Sequence, residues 1–187
     1  MALVNLGVTP NDILMKQLFR PVFPLVFFSV FSRFFRRALG PLCPQKPFSV
    51  IGDIHGCAVL LEDLLARLAT DAAGVPIVCV GDYIDRGPDS AGVLTRLMRL
   101  EAEYPADVIC LMGNHEAMLL EFLDAPQDAG PGWLRSGGTQ TLNSFDVPVP
   151  ETSAGLKAAR DQLVTAMGAG MIRWLRERPV VWQSGNV

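Results

Sequence analysis

Short apolar runs alternate with amphipathic helical stretches between residues 48 and 124, and this alternation limits the fold more than any other feature of the chain. The apolar runs, which contain Val and Ile, are 48–51, 76–80 and 107–112. The helical stretches that follow them are 58–68, a segment starting at Pro88, and 118–123. Apolar strands that alternate with helices predict an α/β fold in which helices cover both faces of a parallel sheet.

The residues directly after the three predicted strands are the first candidates for a functional site. Parallel strands joined by right-handed crossovers end at one edge of the sheet, and open α/β sheets bind their ligands at that edge. The segments there are Gly52-Asp-Ile-His-Gly56, Gly81-Asp-Tyr-Ile-Asp-Arg-Gly87 and Gly113-Asn-His-Glu116. Each begins with a glycine, which lets the backbone turn sharply and approach a ligand closely.

Carboxylate, imidazole and amide side chains in these segments form a candidate metal site. Asp53 and His55 are two residues apart, so a turn can aim both at one point, and this pair suits Mn, Fe or Zn better than Mg or Ca. Asp82 could bridge two such ions, and Asn114 offers a neutral oxygen to the second. Two metal ions at close range can activate a water and clamp a phosphoryl group. We therefore predict Asp53, His55, Asp82 and Asn114 as metal ligands.

The remaining polar residues of these segments suit phosphate binding and proton transfer. Arg86 is a donor fork for phosphate oxygens, and we predict that it binds substrate phosphate together with Asn114. His115 follows a predicted ligand and is not spaced like one, which suits a general acid for a leaving oxygen. Asp85 is its natural partner, because a carboxylate orients the imidazole and keeps it protonated. His115 and Asp85 are therefore the predicted catalytic pair.

Each segment taken alone also has an ordinary structural explanation. A Gly-Asp-x-His-Gly sequence is usually a turn, the neighbours Asp85 and Arg86 are more often a surface ion pair, and Asn114 is most often a turn residue. Complementary ligands after three consecutive strands are much less expected by coincidence, and the combination favours one shared site.

Together the three segments resemble the N-terminal signatures of calcineurin-like metallophosphoesterases, and most of all the bacterial phosphoprotein phosphatases. The resemblance covers roughly residues 48–187. It implies a four-layer α/β/β/α sandwich, a centre of two divalent metal ions, manganese or else iron or zinc, and the site roles given above. It also implies a supporting role for Glu116, and a role in shaping the substrate side for residues 133–138 with Thr141 and Leu142.

The family's second metal ion needs two further histidines, and a second phosphate-binding arginine lies in the same later part of the fold. This chain has two histidines, His55 and His115, so none follows the third motif. We therefore expect a C-terminally truncated chain in which the second metal site is incomplete and the second half of the fold is missing.

The function implied by the resemblance is phosphomonoester hydrolysis, in which a metal-activated water attacks the phosphate of a phosphorylated protein or a small phosphoester. The presence of both Asp85 and Glu116 favours the protein serine/threonine phosphatase type. Symmetrical dinucleoside tetraphosphate hydrolases, the first alternative, typically lack that aspartate and carry Asp in place of the glutamate. The second alternative is a truncated, inactive fragment that binds a metal ion or phosphate.

Residues 1–47 differ in character from residues 48–187, and we expect them to form a basic, Phe-rich extension and a Pro-rich linker ahead of the metallophosphoesterase domain. Seven of the ten phenylalanines lie between residues 19 and 35. The apolar run 21–32 is shorter than the roughly 20 residues of a membrane-spanning helix. A loosely ordered extension is the first expectation, and contact of residues 19–37 with a membrane surface is the alternative.

The net charge of −3 gives no electrostatic footprint for nucleic acid, so no nucleic-acid partner is expected. The four cysteines form no CxxC pair, which fits a reducing cytoplasm. Cys79 and Cys110 are expected to be buried. Residues 125–150 are rich in Gly and Pro and predict a long surface excursion, followed by a helix over 154–178, interrupted by Gly168 and Gly170, and a strand over 179–182.

Overall fold

Three short strands form one parallel sheet in the part of the chain that the structure, a computed structural model, describes: residues 41–187. The strands are β1 (Ser49–Ile51), β2 (Ile77–Cys79) and β3 (Val108–Cys110), in the order β1-β2-β3. Each has three residues and is shorter than the run that predicted it. Residues 1–40, which make up most of the extension and linker expected over 1–47 and include the expected membrane-surface contact at 19–37, lie outside the described residues.

Six α-helices accompany the sheet in residues 41–187. They are α1 (Ala58–Asp71), α2 (Ser90–Glu103), α3 (Asn114–Asp124), α4 (Pro126–Trp133), α5 (Thr139–Ser144) and α6 (Leu156–Arg176). One π-helical turn, Leu134–Gly138, joins α4 to α5, and a 3₁₀ turn, Ser153–Gly155, precedes α6. The predicted α/β fold is confirmed. Within the described residues, no helix combines the length and the apolar character that crossing a lipid bilayer requires.

Helices α1 and α2 pack against one face of the sheet. Ile51, Cys79 and Cys110 belong to the hydrophobic core that contains the buried leucines of both helices. Strand side chains alternate between faces, and Val50 and Ile109, on the other face, lie outside this core. A sequential strand order with right-handed crossovers places consecutive helices on the same face. Helices α1 and α2 therefore share one face of the sheet, and the expected burial of the two cysteines is confirmed.

Residues 126–144 are helical, so the predicted surface excursion over 125–150 is wrong for most of its length. The indole of Trp133, at the end of α4, is 1% exposed and stacks on Phe122 with ring centroids 4.7 Å apart. Leu142 of α5 is fully buried. Pro126 occupies the first turn of α4, where a proline costs no hydrogen bond. The burial of these side chains overrides the low helix propensity of the Gly and Pro residues.

The last part of the chain agrees with its prediction in the helix and differs in the strand. Helix α6 is broken at Gly168, whose φ of 72° is left-handed, as the glycines in the sequence indicated. Residues 179–182 form no regular strand, so that prediction is wrong. Their connection to the end of β3 is a single backbone hydrogen bond, from the N–H of Met112 to the carbonyl of Pro179 (2.8 Å).

Residues 46–182 form one compact unit, and residues 41–45 and 183–187 belong to a second. Within the second unit, the side chain of Asn186 joins the two segments. Its oxygen accepts a hydrogen bond from the N–H of Cys43 (2.6 Å), and its nitrogen donates to the carbonyl of Pro41 (3.0 Å).

Adjacent leucines of α1 provide a test of the core. Leu61 is fully buried and Leu60 is 51% exposed. We expect Leu61→Ala to lower the free energy of unfolding by about 2–5 kcal/mol, because it removes buried methyl groups and leaves a cavity. Leu60→Ala removes the same atoms from the same helix and should change stability by less than about 1 kcal/mol. Urea denaturation followed by circular dichroism measures both, and equal losses would contradict this assignment of the core.

Candidate metal and catalytic site

The segments after the three strands meet at the carboxyl edge of the sheet. The backbone N–H groups of Ile54 and His55 both donate to the carbonyl of Asp82, at 3.0 and 2.9 Å. Gly81, with a φ of 100°, lies so close to Gly113 that a Cβ on either residue would overlap the neighbouring loop. The two glycines thus allow close approach between neighbouring loops, and the predicted site residues are brought to one edge.

The carboxylate of Glu116 holds two of these segments together. It is fully buried in the first turn of α3 and accepts hydrogen bonds from the N–H groups of Asp82 (2.8 Å), Tyr83 (2.8 Å), Ile84 (3.3 Å) and Gly113 (3.0 Å). Burial raises the pKa of Glu116, and the backbone donors oppose that rise. The supporting role expected for Glu116 therefore takes the form of a clamp on the backbone of the second motif.

Backbone strain is concentrated in the site. Of the five non-glycine residues with positive φ among residues 41–187, four are His55, Asp82, Asp85 and Arg86. A non-glycine residue in this region costs about 1–3 kcal/mol and persists only where its surroundings enforce it. The loops thus hold their side chains in orientations that an unconstrained chain would rarely adopt.

The imidazole of His55 has one ring nitrogen that could bind a metal ion. Its Nδ1 lies 2.8 Å from the carbonyl of Ile84, which can only accept, so Nδ1 carries the proton and Nε2 has a free lone pair. Nε2 is buried and has no hydrogen-bond partner within the described residues. The exposed carboxylate of Asp53 is 3.8 Å from it. Metal-binding histidines commonly donate their other ring proton to a carbonyl in this way.

The amide of Asn114 and the carboxylate of Asp82, two of the predicted metal ligands, lie beside each other. The amide nitrogen of Asn114 faces the carboxylate of Asp82 and donates to its two oxygens at 3.3 and 3.2 Å. One ligand atom each of His55, Asp82 and His115 lie within 4.8 Å of one another. The residues present therefore fit a divalent metal ion, with nitrogen and oxygen ligands of the type that suits Mn, Fe or Zn.

His115 lies between an acceptor and a donor. Its Nδ1 is 2.7 Å from Oδ2 of Asp85, and its Nε2 is 3.2 Å from Nη2 of Arg86. Because a guanidinium group can only donate, Nε2 accepts, and the ring proton is on Nδ1, facing Asp85. The ring also meets that of His55 edge-on, with centroids 4.7 Å apart. The structure therefore brings the predicted catalytic pair together beside the predicted phosphate-binding arginine and metal ligands.

Two further residues reach this pair that the sequence reasoning did not place in it. The indole N–H of Trp133 is 3.0 Å from Oδ2 and 3.2 Å from Oδ1 of Asp85, and the hydroxyl of Thr141 donates to Oδ1 at 2.6 Å. Burial raises the pKa of Asp85, and the hydrogen bonds from Thr141, His115 and Trp133 oppose that rise. The only sequence signal was the resemblance of this region to the bacterial family members, which suggested a place on the substrate side.

Comparison with known proteins agrees with this geometry. Residues 46–179 match the family model described as calcineurin-like phosphoesterase. The chain belongs to the calcineurin-like phosphoesterase family. Members of this family are metal-dependent, and the curated proteins similar to this chain include protein serine/threonine phosphatases.

The chain is similar to several curated proteins and solved structures, among them the following two proteins and one structure. Serine/threonine-protein phosphatase 1 of Salmonella typhimurium is 39% identical over 89 residues, which are 48% of this chain and 38% of the relative. The symmetrical bis(5'-nucleosyl)-tetraphosphatase of Ralstonia nicotianae is 30% identical over 140 residues, 74% of this chain and 39% of the relative. A protein serine/threonine phosphatase structure from Saccharomyces cerevisiae has a TM-score of 0.42 and 17% identity, covering 66% of this chain and 32% of that one. The chain thus spans about two fifths of the length of these curated relatives.

The clamp formed by Glu116 can be tested by an isosteric change. In Glu116→Gln the side-chain amide would point N–H groups at backbone N–H donors that the carboxylate now satisfies. We expect a loss of about 1–3 kcal/mol in the free energy of unfolding. Glu121→Gln makes the same change at an exposed position of the same helix and should be neutral. A Glu116→Gln protein as stable as the Glu121→Gln protein in urea denaturation would show that the clamp is dispensable.

Proposed function

We propose that this chain carries the metal-binding and proton-donating part of a phosphomonoester hydrolase of the protein serine/threonine phosphatase type. One observation carries the proposal: ligand atoms of His55, Asp82 and His115 lie within 4.8 Å of one another next to an arginine, and the buried Nε2 of His55 has no hydrogen-bond partner among residues 41–187. Family membership supports a phosphoric ester hydrolase. The protein phosphatase type rests on the relatives and on the presence of both Asp85 and Glu116.

Asp53, His55, Asp82 and Asn114 would hold the metal ion or ions, and manganese is the first choice among those that suit this donor set. A divalent ion in such a site supplies a nucleophilic water at neutral pH and offsets charge on the phosphate oxygens. All four residues lie within the described part of the chain, and His55 presents its lone pair without rearrangement. We propose one complete metal position here, and a second to which Asp82 and Asn114 contribute.

Arg86 and His115 would act in sequence on the substrate. Nη2 of Arg86 donates to Nε2 of His115 in this structure (3.2 Å), so that Nε2 cannot carry a proton while the contact persists. When Arg86 turns its donors to a phosphate group, Nε2 becomes free to take up a proton. His115 then gives that proton to the leaving oxygen, and the carboxylate of Asp85 stabilises the charged ring in between.

A symmetrical dinucleoside tetraphosphatase remains the second candidate, because the relative of that name aligns with 74% of this chain, whereas the Salmonella typhimurium phosphatase aligns with 48%. The two candidates differ in substrate: a phosphorylated serine or threonine peptide against a dinucleoside tetraphosphate. Phosphate release from each at equal concentration, with Mn²⁺ present, separates them. A third candidate, an inactive fragment that binds metal or phosphate, predicts release from neither.

Metal binding itself should depend on His55. We expect Mn²⁺ to raise the melting temperature of the chain, since a ligand at about 100 times its dissociation constant adds about 2.7 kcal/mol to the free energy of unfolding. His55→Ala should abolish this rise because it removes the free lone pair. His115→Ala should keep it. Loss of the Mn²⁺ effect in His115→Ala would make His115 a ligand and contradict its assignment as a proton donor.

Turnover should depend on His115. If the chain hydrolyses para-nitrophenyl phosphate with Mn²⁺, His115→Asn should lower kcat by at least about 100-fold, the usual contribution of a general acid. Glu121→Gln, on the exposed side of the same helix, is the control and should match the unsubstituted chain. An unsubstituted chain that binds Mn²⁺ and hydrolyses neither this substrate nor the two natural classes would support the inactive-fragment candidate.

A further inference from the structure

We propose that Trp133 and Thr141 are positioning residues that fix the carboxylate of Asp85 against His115. Their effect on catalysis rests on the proposed function, whereas their effect on the imidazole does not. They lie 48 and 56 residues beyond Asp85 in the sequence and reach it from α4 and α5.

The donors divide between the two oxygens of Asp85. Oδ1 accepts from the hydroxyl of Thr141 (2.6 Å) and the indole of Trp133 (3.2 Å). Oδ2 accepts from the same indole (3.0 Å) and from Nδ1 of His115 (2.7 Å). A carboxylate torsion is soft when it is free, and three donors in different directions hold its plane. Oδ2 is thereby held facing the imidazole.

The two donors are themselves held rigidly. The indole of Trp133 stacks on Phe122 at an angle of 28° between the rings, and a Cβ on Gly138 would lie 2.5 Å from the indole. Thr141 is fully buried, and its hydroxyl also bonds the hydroxyl of Ser90 (2.9 Å). Both hydroxyls are within reach of the N–H of Asp85, so the backbone of Asp85 keeps an acceptor if one hydroxyl is removed.

The π-helical turn between Trp133 and Thr141 contacts Arg86, the residue that follows Asp85. The N–H of Arg86 donates to the carbonyl of Gly137 (3.2 Å) in the π-helical turn. Gly137 has a φ of 115°, and a Cβ there would lie 2.7 Å from the nitrogen of Arg86. Residues 133–141 therefore contact both residues that bracket His115: the side chain of Asp85 through two donors, and the backbone of Arg86 through one hydrogen bond. A segment that only filled space would not need donors aimed at this carboxylate.

The test follows the two imidazoles in the full chain by nitrogen-15 NMR, since His55 and His115 are the only histidines. His55→Asn assigns the signals. Thr141→Val removes one donor at nearly constant shape, and Trp133→Phe removes the other donor together with one of the two rings of the indole. Thr141→Ser restores the hydroxyl, and Thr139→Val makes the same hydroxyl-to-methyl change two residues away, at a side chain bonded to Gln140 and not to Asp85.

We expect the His115 ring of the unsubstituted chain to carry its proton on Nδ1 and to exchange it slowly. In Thr141→Val and Trp133→Phe that exchange should accelerate by about tenfold or more, the factor for losing a hydrogen bond to a charged group. Thr141→Ser and Thr139→Val should match the unsubstituted chain. Unchanged proton exchange in both Thr141→Val and Trp133→Phe overturns the proposal. Failure of both variants to fold also overturns it, because Trp133 and Thr141 would then have a structural role only.

The catalytic part of the proposal has its own measurement. With para-nitrophenyl phosphate and Mn²⁺, kcat should fall about tenfold in Thr141→Val and recover in Thr141→Ser, with KM unchanged, because the loss affects proton transfer and not binding. A rise in KM at constant kcat would overturn the positioning role in favour of the substrate side. If no variant turns over substrate, the proposed function fails, and the imidazole exchange still decides whether Trp133 and Thr141 position Asp85.

Discussion

One buried carboxylate organises the site. Glu116 has no exposed surface and satisfies four backbone N–H groups, three of them in the second motif and one directly before its own helix. Without that acceptor, the N–H groups of Asp82, Tyr83 and Ile84 would have to find other partners away from water. The orientation of the second motif, and with it Asp85 and Arg86, therefore depends on a residue that has no part in the proposed chemistry.

The sequence predicted most of the site because the site is local to three strand ends. In a parallel sheet those ends are neighbours whatever the details of packing, so adjacent motifs sufficed to bring His55, Asp82 and His115 together. The protons on the two imidazoles were not predictable in the same way. They follow from the carbonyl of Ile84 and the guanidinium of Arg86, whose positions depend on the strained loop between them.

Predictions from the sequence were wrong where packing between distant segments determines the structure. Gly and Pro between residues 125 and 150 indicated a loop, but the stacking of Trp133 on Phe122 and the burial of Leu142 stabilise helices there. The same packing carries Trp133 to Asp85 across 48 positions, a pairing that no periodicity reveals. The prediction for residues 179–182 was wrong in the opposite sense. A β-branched pair indicated a strand, but a single backbone hydrogen bond is all that connects this segment to the end of β3.

Four residues of the site have left-handed backbone conformations, which raise the local free energy of the site. Their dihedral angles are held by the clamp and the core, so any weakening of that support lets the loops relax toward commoner conformations first. The site should thus lose its geometry at a smaller perturbation than the sheet loses its strands. In this chain, substitutions far from the strand ends can therefore disturb the geometry of the site in a protein that still looks folded.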